Sequence, residues 1–192
     1  MTKEIVAFQG EKGAYSHLAC EEIFPQATIK TCATFEETFK MASEDENVKI
    51  MVPIENSLAG RVADIHYLLT KYKLQIYSEH FQNVEHNLLV KEGTELKEIK
   101  YVRSHAQAID QCQKIISKNK FKTIISADTA GSAKDLSTGN DKSIAAIASK
   151  LSAKIYNLKI LKSNIEDDTG NVTRFLIMGK KVNQPENIKN KK

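Results

Sequence analysis

The chain has 192 residues, 41% of them hydrophobic, enough for one substantial core or two small lobes. Its apolar runs fall far short of the roughly 18 residues that span a bilayer. The opening Met1-Thr2-Lys3-Glu4 has neither a signal core nor a small-residue cleavage site, so the expected location is cytoplasmic, with no membrane partner. The formal charge of +4 is carried by Lys180, Lys181, Lys189, Lys191 and Lys192 against Glu186. Residues 1–179 are neutral and offer no basic groove for nucleic acid.

Only three of the 28 basic residues are arginines, the planar clamp for carboxylates: Arg61, Arg103 and Arg174. Cys20, Cys32 and Cys112 have no disulfide or metal spacing, so buried thiols are expected. The five histidines form no His-x-x-x-His pair, and no metal site is expected.

In chain order, residues 5–9 read as an apolar strand, the glycines at 10 and 13 as a turn, and residues 15–24 as a helix ending before Pro25. Gly10-x-x-Gly13 matches no phosphate-binding motif. Residues 28–32 form a second strand. Residues 35–41 form a helix whose Thr34 and Glu37 have capping-box spacing. Residues 49–52 are a third strand. Strand, helix, strand, helix, strand is the pattern of a parallel sheet covered by helices.

Val52 to Val62 is the stretch around which the rest is organised. An apolar run enters a polar turn, and Val62, Ile65, His66, Leu68 and Leu69 then recur at helical spacing. Pro53, without a backbone donor, is expected to end the strand. Asn56 and Ser57 are expected to cap the helix, and Gly60 to let the backbone approach a ligand. The start of such a helix suits a carboxylate or phosphate. The plainer alternative, that these residues only cap a β–α connection, stays open at this point.

Residues 74–81 alternate as a half-buried strand, and 87–90 follow as another. The α/β rhythm then restarts: strand 101–102, helix 106–117, strand 123–125, helix 129–136, strand 143–146, helix 149–153. Two such series imply two similar lobes with a cleft between them. Ser104-His105-Ala106-Gln107 and Ser126-Ala127-Asp128-Thr129-Ala130-Gly131 each sit where strand gives way to helix. His105 by itself reads as a capping or surface histidine. Residues 158–161 read as a strand returning to the first lobe, and 166–170 as a solvated acidic turn. Residues 171–178 begin polar and become strongly apolar, with Thr173 and Arg174 at the strand's mouth.

Several of these segments together resemble the prephenate dehydratase family. Val-Pro-Ile-Glu-Asn-Ser-x-x-Gly at 52–60 is similar to that family's central motif, and Asn171-Val172-Thr173-Arg174-Phe175 to its Asn-x-Thr-Arg-Phe motif. Gly13-Ala14-Tyr15-Ser16, Ser104-His105-x-Gln107 and Ala145-Ala146-Ile147-Ala148-Ser149 match three further segments in the family's order. The resemblance covers roughly residues 4 to 179. It implies a two-lobed α/β fold like a type II periplasmic binding protein. Each lobe would be a mostly parallel sheet flanked by helices, with the active site in the interlobe cleft. The first lobe is expected at 1–78 and 159–179, the second at 79–158, and a basic tail or linker, without the ACT regulatory domain many members carry, at 180–192.

The implied activity is loss of carbon dioxide and hydroxyl from prephenate to give phenylpyruvate, in phenylalanine biosynthesis. The breaking carboxylate bond itself feeds electrons toward the departing hydroxyl, so no cofactor is needed as an electron sink. By resemblance, the family's functional threonine corresponds to Thr173, its motif asparagine to Asn56 and its loop glutamine to Gln107. Ser57 beside Asn56 and Arg174 are expected to hold carboxylates. Ser16, Glu55, Thr129 and Phe175 complete the expected substrate-binding set. Ala106 stands where the family loop often has proline, which leaves Gln107 on a less rigid loop. A homo-oligomer, a dimer by the resemblance, is expected. Two other readings stay open: arogenate dehydratase, and a two-lobed binding protein without chemistry.

Overall fold

The computed structural model describes residues 4–180, so all of the expected tail except Lys180 lies outside the described residues. The chain opens with β1 (Ile5–Gln9), α1 (Tyr15–Ile23), β2 (Thr28–Cys32), α2 (Phe35–Glu44) and β3 (Val48–Asn56). A short β4 (Gly60–Arg61), α3 (Ala63–Tyr72) and β5 (Gln75–Asn83) follow. The second lobe holds β6 (Asn87–Val90), β7 (Tyr101–His105), α4 (Ala106–Asp110), α5 (Gln113–Asn119), β8 (Lys122–Ser126), α6 (Thr129–Thr138), β9 (Ile144–Ala148), α7 (Lys150–Ile155) and β10 (Lys159–Lys162). Finally β11 (Val172–Gly179) returns to the first lobe.

One sheet runs β2-β1-β3-β11-β5, with β4 paired to β3, and the other runs β10-β6-β9-β7-β8. Both are mixed rather than mostly parallel. The βα units give parallel pairs, but β11 lies antiparallel between β3 and β5, and β6 antiparallel between β9 and β10. Chain crossing explains this: each lobe receives strands from segments arriving out of the other. Sheet membership also corrects two expected boundaries. β10 pairs with β6 and stays in the second lobe, so the return comes only at β11. β5 belongs to the first sheet along its whole length to Asn83, past the expected break at 78. As an edge strand it is exposed along most of that length, not half-buried.

Helices cover both faces of the first sheet, so its strands are apolar on both sides. Ala7, Ile50, Val52 and Ile54 meet Phe39 of α2 and Ile65 and Leu68 of α3. On the opposite face Val6, Phe8, Met51, Phe175 and Ile177 meet Ala19 and Cys20 of α1. The three cysteines are free and buried, and burial pushes the Cys20 thiol up to about 12. Thr34 caps α2 by accepting Glu37 N–H at 3.1 Å, but the Glu37 carboxylate reaches Ala33 N–H at 2.8 Å, one residue earlier than a capping box requires.

The 52–62 stretch differs from its expected form. β3 runs through Pro53 to Asn56, because Pro53 sits at a bulge where the register passes from Glu55↔Arg174 to Pro53↔Phe175. The chain then folds back as a hairpin, with Gly60 at φ +80° pairing Asn56. No helix starts at Asn56: α3 begins at Ala63 after Val62, which offers no side-chain cap.

Two contacts between the lobes, among others, are formed by backbone carbonyls. At the crossover Val84 N–H donates to Asn171 O and Ile165 N–H to His86 O, both at 2.9 Å. At the second contact the Gly13 carbonyl accepts hydroxyls from Ser149 (2.5 Å) and Ser152 (2.9 Å) at the start of α7. Gly13 has φ +94°, and a Cβ there would lie 2.9 Å from Ser152 Cα.

Candidate active site

Between the lobes lie two adjoining cavities of ≈ 740 and ≈ 480 Å³ whose shared walls include Gln9, Tyr15, Pro53, Asp128, Thr129 and Thr173. Both lobes contribute walls. α1 and α6 begin in them: α1 without any side-chain cap, α6 with Asp128 Oδ1 accepting Gly131 N–H at 2.6 Å. Ser16 and Thr129, both expected site residues, sit in these first turns and line the larger cavity. Open backbone N–H groups and the positive dipole end make such starts suited to a carboxylate.

Thr173 is the second residue of β11 and lies opposite Asn56 on β3. The hairpin fixes how the Asn56 amide points. Its Oδ1 accepts Leu58 N–H at 3.0 Å and Ala59 N–H at 2.9 Å, and backbone N–H can only donate. The other end of the amide is therefore Nδ2, which donates to Thr173 Oγ1 at 2.9 Å and to Asn171 Oδ1 at 2.7 Å. Thr173 Oγ1 thus spends a lone pair on Asn56 and keeps its own hydrogen for the cleft.

The remaining expected residues divide. Gln107 lies in the first turn of α4, with its side chain at the smaller cavity, and His105 caps that helix by accepting Gln107 N–H at 3.3 Å. Phe175 lines the larger cavity and is otherwise buried. Ser57 is tied to backbone: its hydroxyl donates to Gly170 O at 2.8 Å and accepts Val172 N–H at 2.9 Å, which fastens the hairpin to β11. Arg174 is not beside Thr173 in space, because alternate residues of a strand point to opposite faces. Its guanidinium pairs with Glu79 (Nη2 at 2.6 Å) and Glu55 (Nη1 at 3.2 Å), and these bonds hold it above its usual pKa. Neither Arg174 nor Glu55 lines the two shared cavities.

Sequence reasoning passed over several cleft residues. Arg61, on β4, lines the smaller cavity and, among the described residues, pairs with no carboxylate. Its hairpin position became visible only once the turn at 56–60 was known. Tyr15, His86, Gln111 and Asn171 form a chain that meets Asn56. Asn171 Nδ2 donates to Gln111 Oε1 at 2.9 Å, His86 Nε2 lies 2.8 Å from the same oxygen, and Tyr15 OH lies 2.8 Å from His86 Nδ1. Burial lowers the His86 pKa and raises that of Tyr15, so both are neutral near pH 7. The acidic turn, expected to be solvated, serves this chain: Glu166 accepts His86 N–H at 2.8 Å and Asp167 N–H donates to Gln111 O at 2.7 Å. Tyr15 and Asn171 fall in motif segments, but nothing in the local sequence marks the chain they form with His86 and Gln111, since the partners are 25 to 115 positions apart. Among the described residues no three His, Cys, Asp or Glu side chains come together as metal ligands, and no helix is long and apolar enough to cross a membrane.

Comparison with known proteins agrees with the fold and the motifs. The family model described as "Prephenate dehydratase" matches residues 6–183. The bifunctional N-acyl-homoserine lactone acylase/prephenate dehydratase of Komagataeibacter europaeus is 41% identical over 93% of this chain and 64% of its own length. Arogenate dehydratase/prephenate dehydratase 2 of Arabidopsis thaliana is 37% identical over 91% of this chain and 46% of its own. The crystal structure of prephenate dehydratase from Arthrobacter aurescens superposes with a TM-score of 0.85 at 27% identity, covering 96% of this chain and 63% of that one. The chain thus spans about half to two thirds of the length of these relatives. With the two-lobed fold, the motifs in order and a family match over nearly all of its length, the chain belongs to the prephenate dehydratase family.

Proposed function

We propose that this chain converts prephenate to phenylpyruvate by decarboxylative dehydration, with Thr173 as the donor to the departing ring hydroxyl. The observation that carries this reading is the direction of the Asn56–Thr173 bond. Because Asn56 donates to Oγ1, the threonine hydrogen is left for a ligand in the cleft. Threonine is not acidic at neutral pH, so it acts as a hydrogen-bond donor, directly or through a water. Positioned donation of this kind is worth about 10²–10⁴-fold.

The substrate is a dianion. Arg61 and the uncapped start of α1 are the groups suited to its side-chain carboxylate. The ring carboxylate that leaves as carbon dioxide should be held loosely. Its charge disperses in the transition state, and a tight grip would stabilise the ground state more. Arg174 lies on the other face of β11 with both its partners anionic, an arrangement that leaves the cleft with few cations.

A second reading is favoured by Asp128, whose carboxylate lines both cavities and which has no cationic partner among the described residues. Arogenate carries an ammonium where prephenate has a keto group, and a carboxylate in the wall would pair with it. The test is kcat/KM on both substrates, with Asp128→Asn as the control. Turnover of prephenate to an alkali-absorbing phenylpyruvate enolate supports the first reading. A preference for arogenate that falls in the asparagine variant supports the second, and absence of both activities rejects dehydratase function.

A further inference from the structure

The Asn56 amide is the near end of a longer chain of hydrogen bonds, and its direction dictates every bond beyond it. Leu58 and Ala59 N–H fix Oδ1, so Nδ2 must face Asn171, and the Asn171 atom at 2.7 Å must be its acceptor Oδ1. Asn171 then presents Nδ2 to Gln111, which places the acceptor Oε1 there at 2.9 Å. That oxygen also lies 2.8 Å from His86 Nε2 and has no hydrogen to give. His86 Nε2 must therefore carry the proton. Neutral His86 then has a bare Nδ1 2.8 Å from the Tyr15 hydroxyl, whose single hydrogen is shared between that nitrogen and the Glu85 carbonyl, also at 2.8 Å.

His86 and Asn171 are each 2% exposed, so water does not replace a missing partner. The chain also crosses between lobes. Tyr15 belongs to α1 of the first, Gln111 lies between α4 and α5 of the second, and His86 and Asn171 sit on the two crossover segments.

We propose that Asn171, Gln111 and His86 are positioning residues for Thr173: a hydrogen-bond relay of fixed direction, in which donation from the Leu58–Ala59 turn and donation from a His86 held as the Nε2–H tautomer meet at Gln111 Oε1, that fixes the Asn56 amide and through it the Thr173 hydroxyl. The proposal rests on the reading of Thr173 as the donor to substrate. None of the three touches the reacting bond in this scheme. Gln111 explains why the helix expected over 106–117 breaks: its carbonyl is occupied by Asp167 N–H and its side chain by the relay.

Two variants of Asn171 separate the links. Asn171→Leu removes the acceptor that holds one Asn56 amide hydrogen. Asn171→Asp, at a pH where its carboxylate is ionised, keeps that acceptor but cannot donate to Gln111, whose amide must flip and present Nε2 to His86. His86 Nε2 must then be bare and its proton must move to Nδ1. The readouts are nitrogen-15 spectra of the His86 imidazole, three-bond couplings of the Thr173 γ-methyl that report its χ1 rotamer, and steady-state kinetics.

The wild-type protein should show the Nε2–H tautomer and a single Thr173 rotamer. Asn171→Asp should show the Nδ1–H tautomer. Asn171→Leu should average the Thr173 rotamer and lower kcat about tenfold with KM within about twofold, the pattern of a lost transition-state interaction. The aspartate should recover part of the rate that leucine loses. An Nδ1–H tautomer in the wild type, an unswitched aspartate variant, or a leucine variant with a single Thr173 rotamer and unchanged kcat would each overturn the relay. If the leucine variant does not fold, the aspartate variant decides alone. The spectra are taken without substrate, so a wild-type chain inactive on both prephenate and arogenate would reject the dehydratase reading while the relay is judged separately.

Discussion

Two junctions in this molecule are built from the same materials and do different work. At one, the hairpin around Asn56 meets the start of β11. At the other, the β1–α1 loop at Gly13 meets the start of α7. Both join segments more than 100 residues apart through short polar side chains. At Gly13 every group is consumed: two serine hydroxyls converge on one carbonyl in a buried contact. At Asn56 the amide is fully used, but the hydroxyl it grips keeps a free hydrogen toward the cleft. Motif residues thus divide by whether a donor is left over. A saturated junction holds the lobes, whereas an unsaturated one can act on a ligand.

Removing the left-over donor should have the largest effect. Thr173→Val keeps the β-branched shape and its stiff χ1 and deletes only the hydroxyl. The expected fall in kcat is about 10²–10⁴-fold, with KM little changed and melting near wild type. Thr173→Ser should keep part of the rate on a looser stem. A folded valine variant with near-normal kcat would move the donor role to Gln107 or a bound water and erase the distinction between the junctions.

Breaking the saturated junction should show in stability. Gly13→Ala forces a side chain into φ +94° with its Cβ 2.9 Å from the Ser152 backbone, which cannot yield as a flexible tip could. Strain and overpacking together are worth about 3 kcal/mol. For a chain of this size that is roughly 6–12 °C in Tm. If Gly13→Ala melts like wild type, the Gly13–Ser152 contact does not hold the lobes.

The two arginines near the motifs sharpen the contrast. Arg61 reaches the smaller cavity from the hairpin with no carboxylate partner among the described residues, and it also borders a pocket of ≈ 370 Å³ beside Arg174, which two carboxylates hold. Arg61→Gln should raise KM about tenfold with kcat nearly intact, the signature of lost uniform binding. Arg174→Gln should move KM by about twofold or less, since a group neutralised on the far face gives the substrate little. The reverse order would mean that Arg174 turns toward the cleft when substrate binds.

How much of this was legible in the sequence follows from where each signal lives. Alternating apolar strands and helices are local, so β1 to β3 and β7 to β9 were readable within a few residues. The mixed sheets were not, because the direction of β11 and β6 depends on chain crossing. The turn at 56–60 misled for a physical reason. Asn, Ser and Gly suit a helix cap and a hairpin equally, and only pairing with β11 and β4 decides between them. Arg174 reads as a neighbour of Thr173 because the two are adjacent in sequence, whereas strand alternation separates their side chains. His86 and Gln111 carry no local signal, and Asn171, though it opens a motif, shows its role only through partners in other segments.

The smallest expected effect concerns the far end of the Asn56 junction. Burial is the main cause that lowers the His86 pKa, with the Gln111 bond and Glu166 opposing it. An unfolded chain would protonate this histidine near pH 6.5, whereas the folded protein resists until its lower value is reached. Between those two points the unfolded state binds more protons. The stability contributed is therefore complete above about pH 6.5 and drains away as pH falls below it toward the folded value. The Gly13 junction has its own buried histidine, since Gly13 N–H donates to His17 Nδ1 at 3.0 Å and burial lowers the His17 pKa, but that contribution is common to the wild-type protein and to a His86 variant. Urea unfolding at steps from pH 7.5 to 5.5 should then show a steeper loss for the wild-type protein than for His86→Gln, which keeps an N–H donor toward Gln111 but does not titrate. Parallel curves would mean that the imidazole takes up its proton as readily folded as unfolded, and the neutral Nε2–H form at this site would have to be given up.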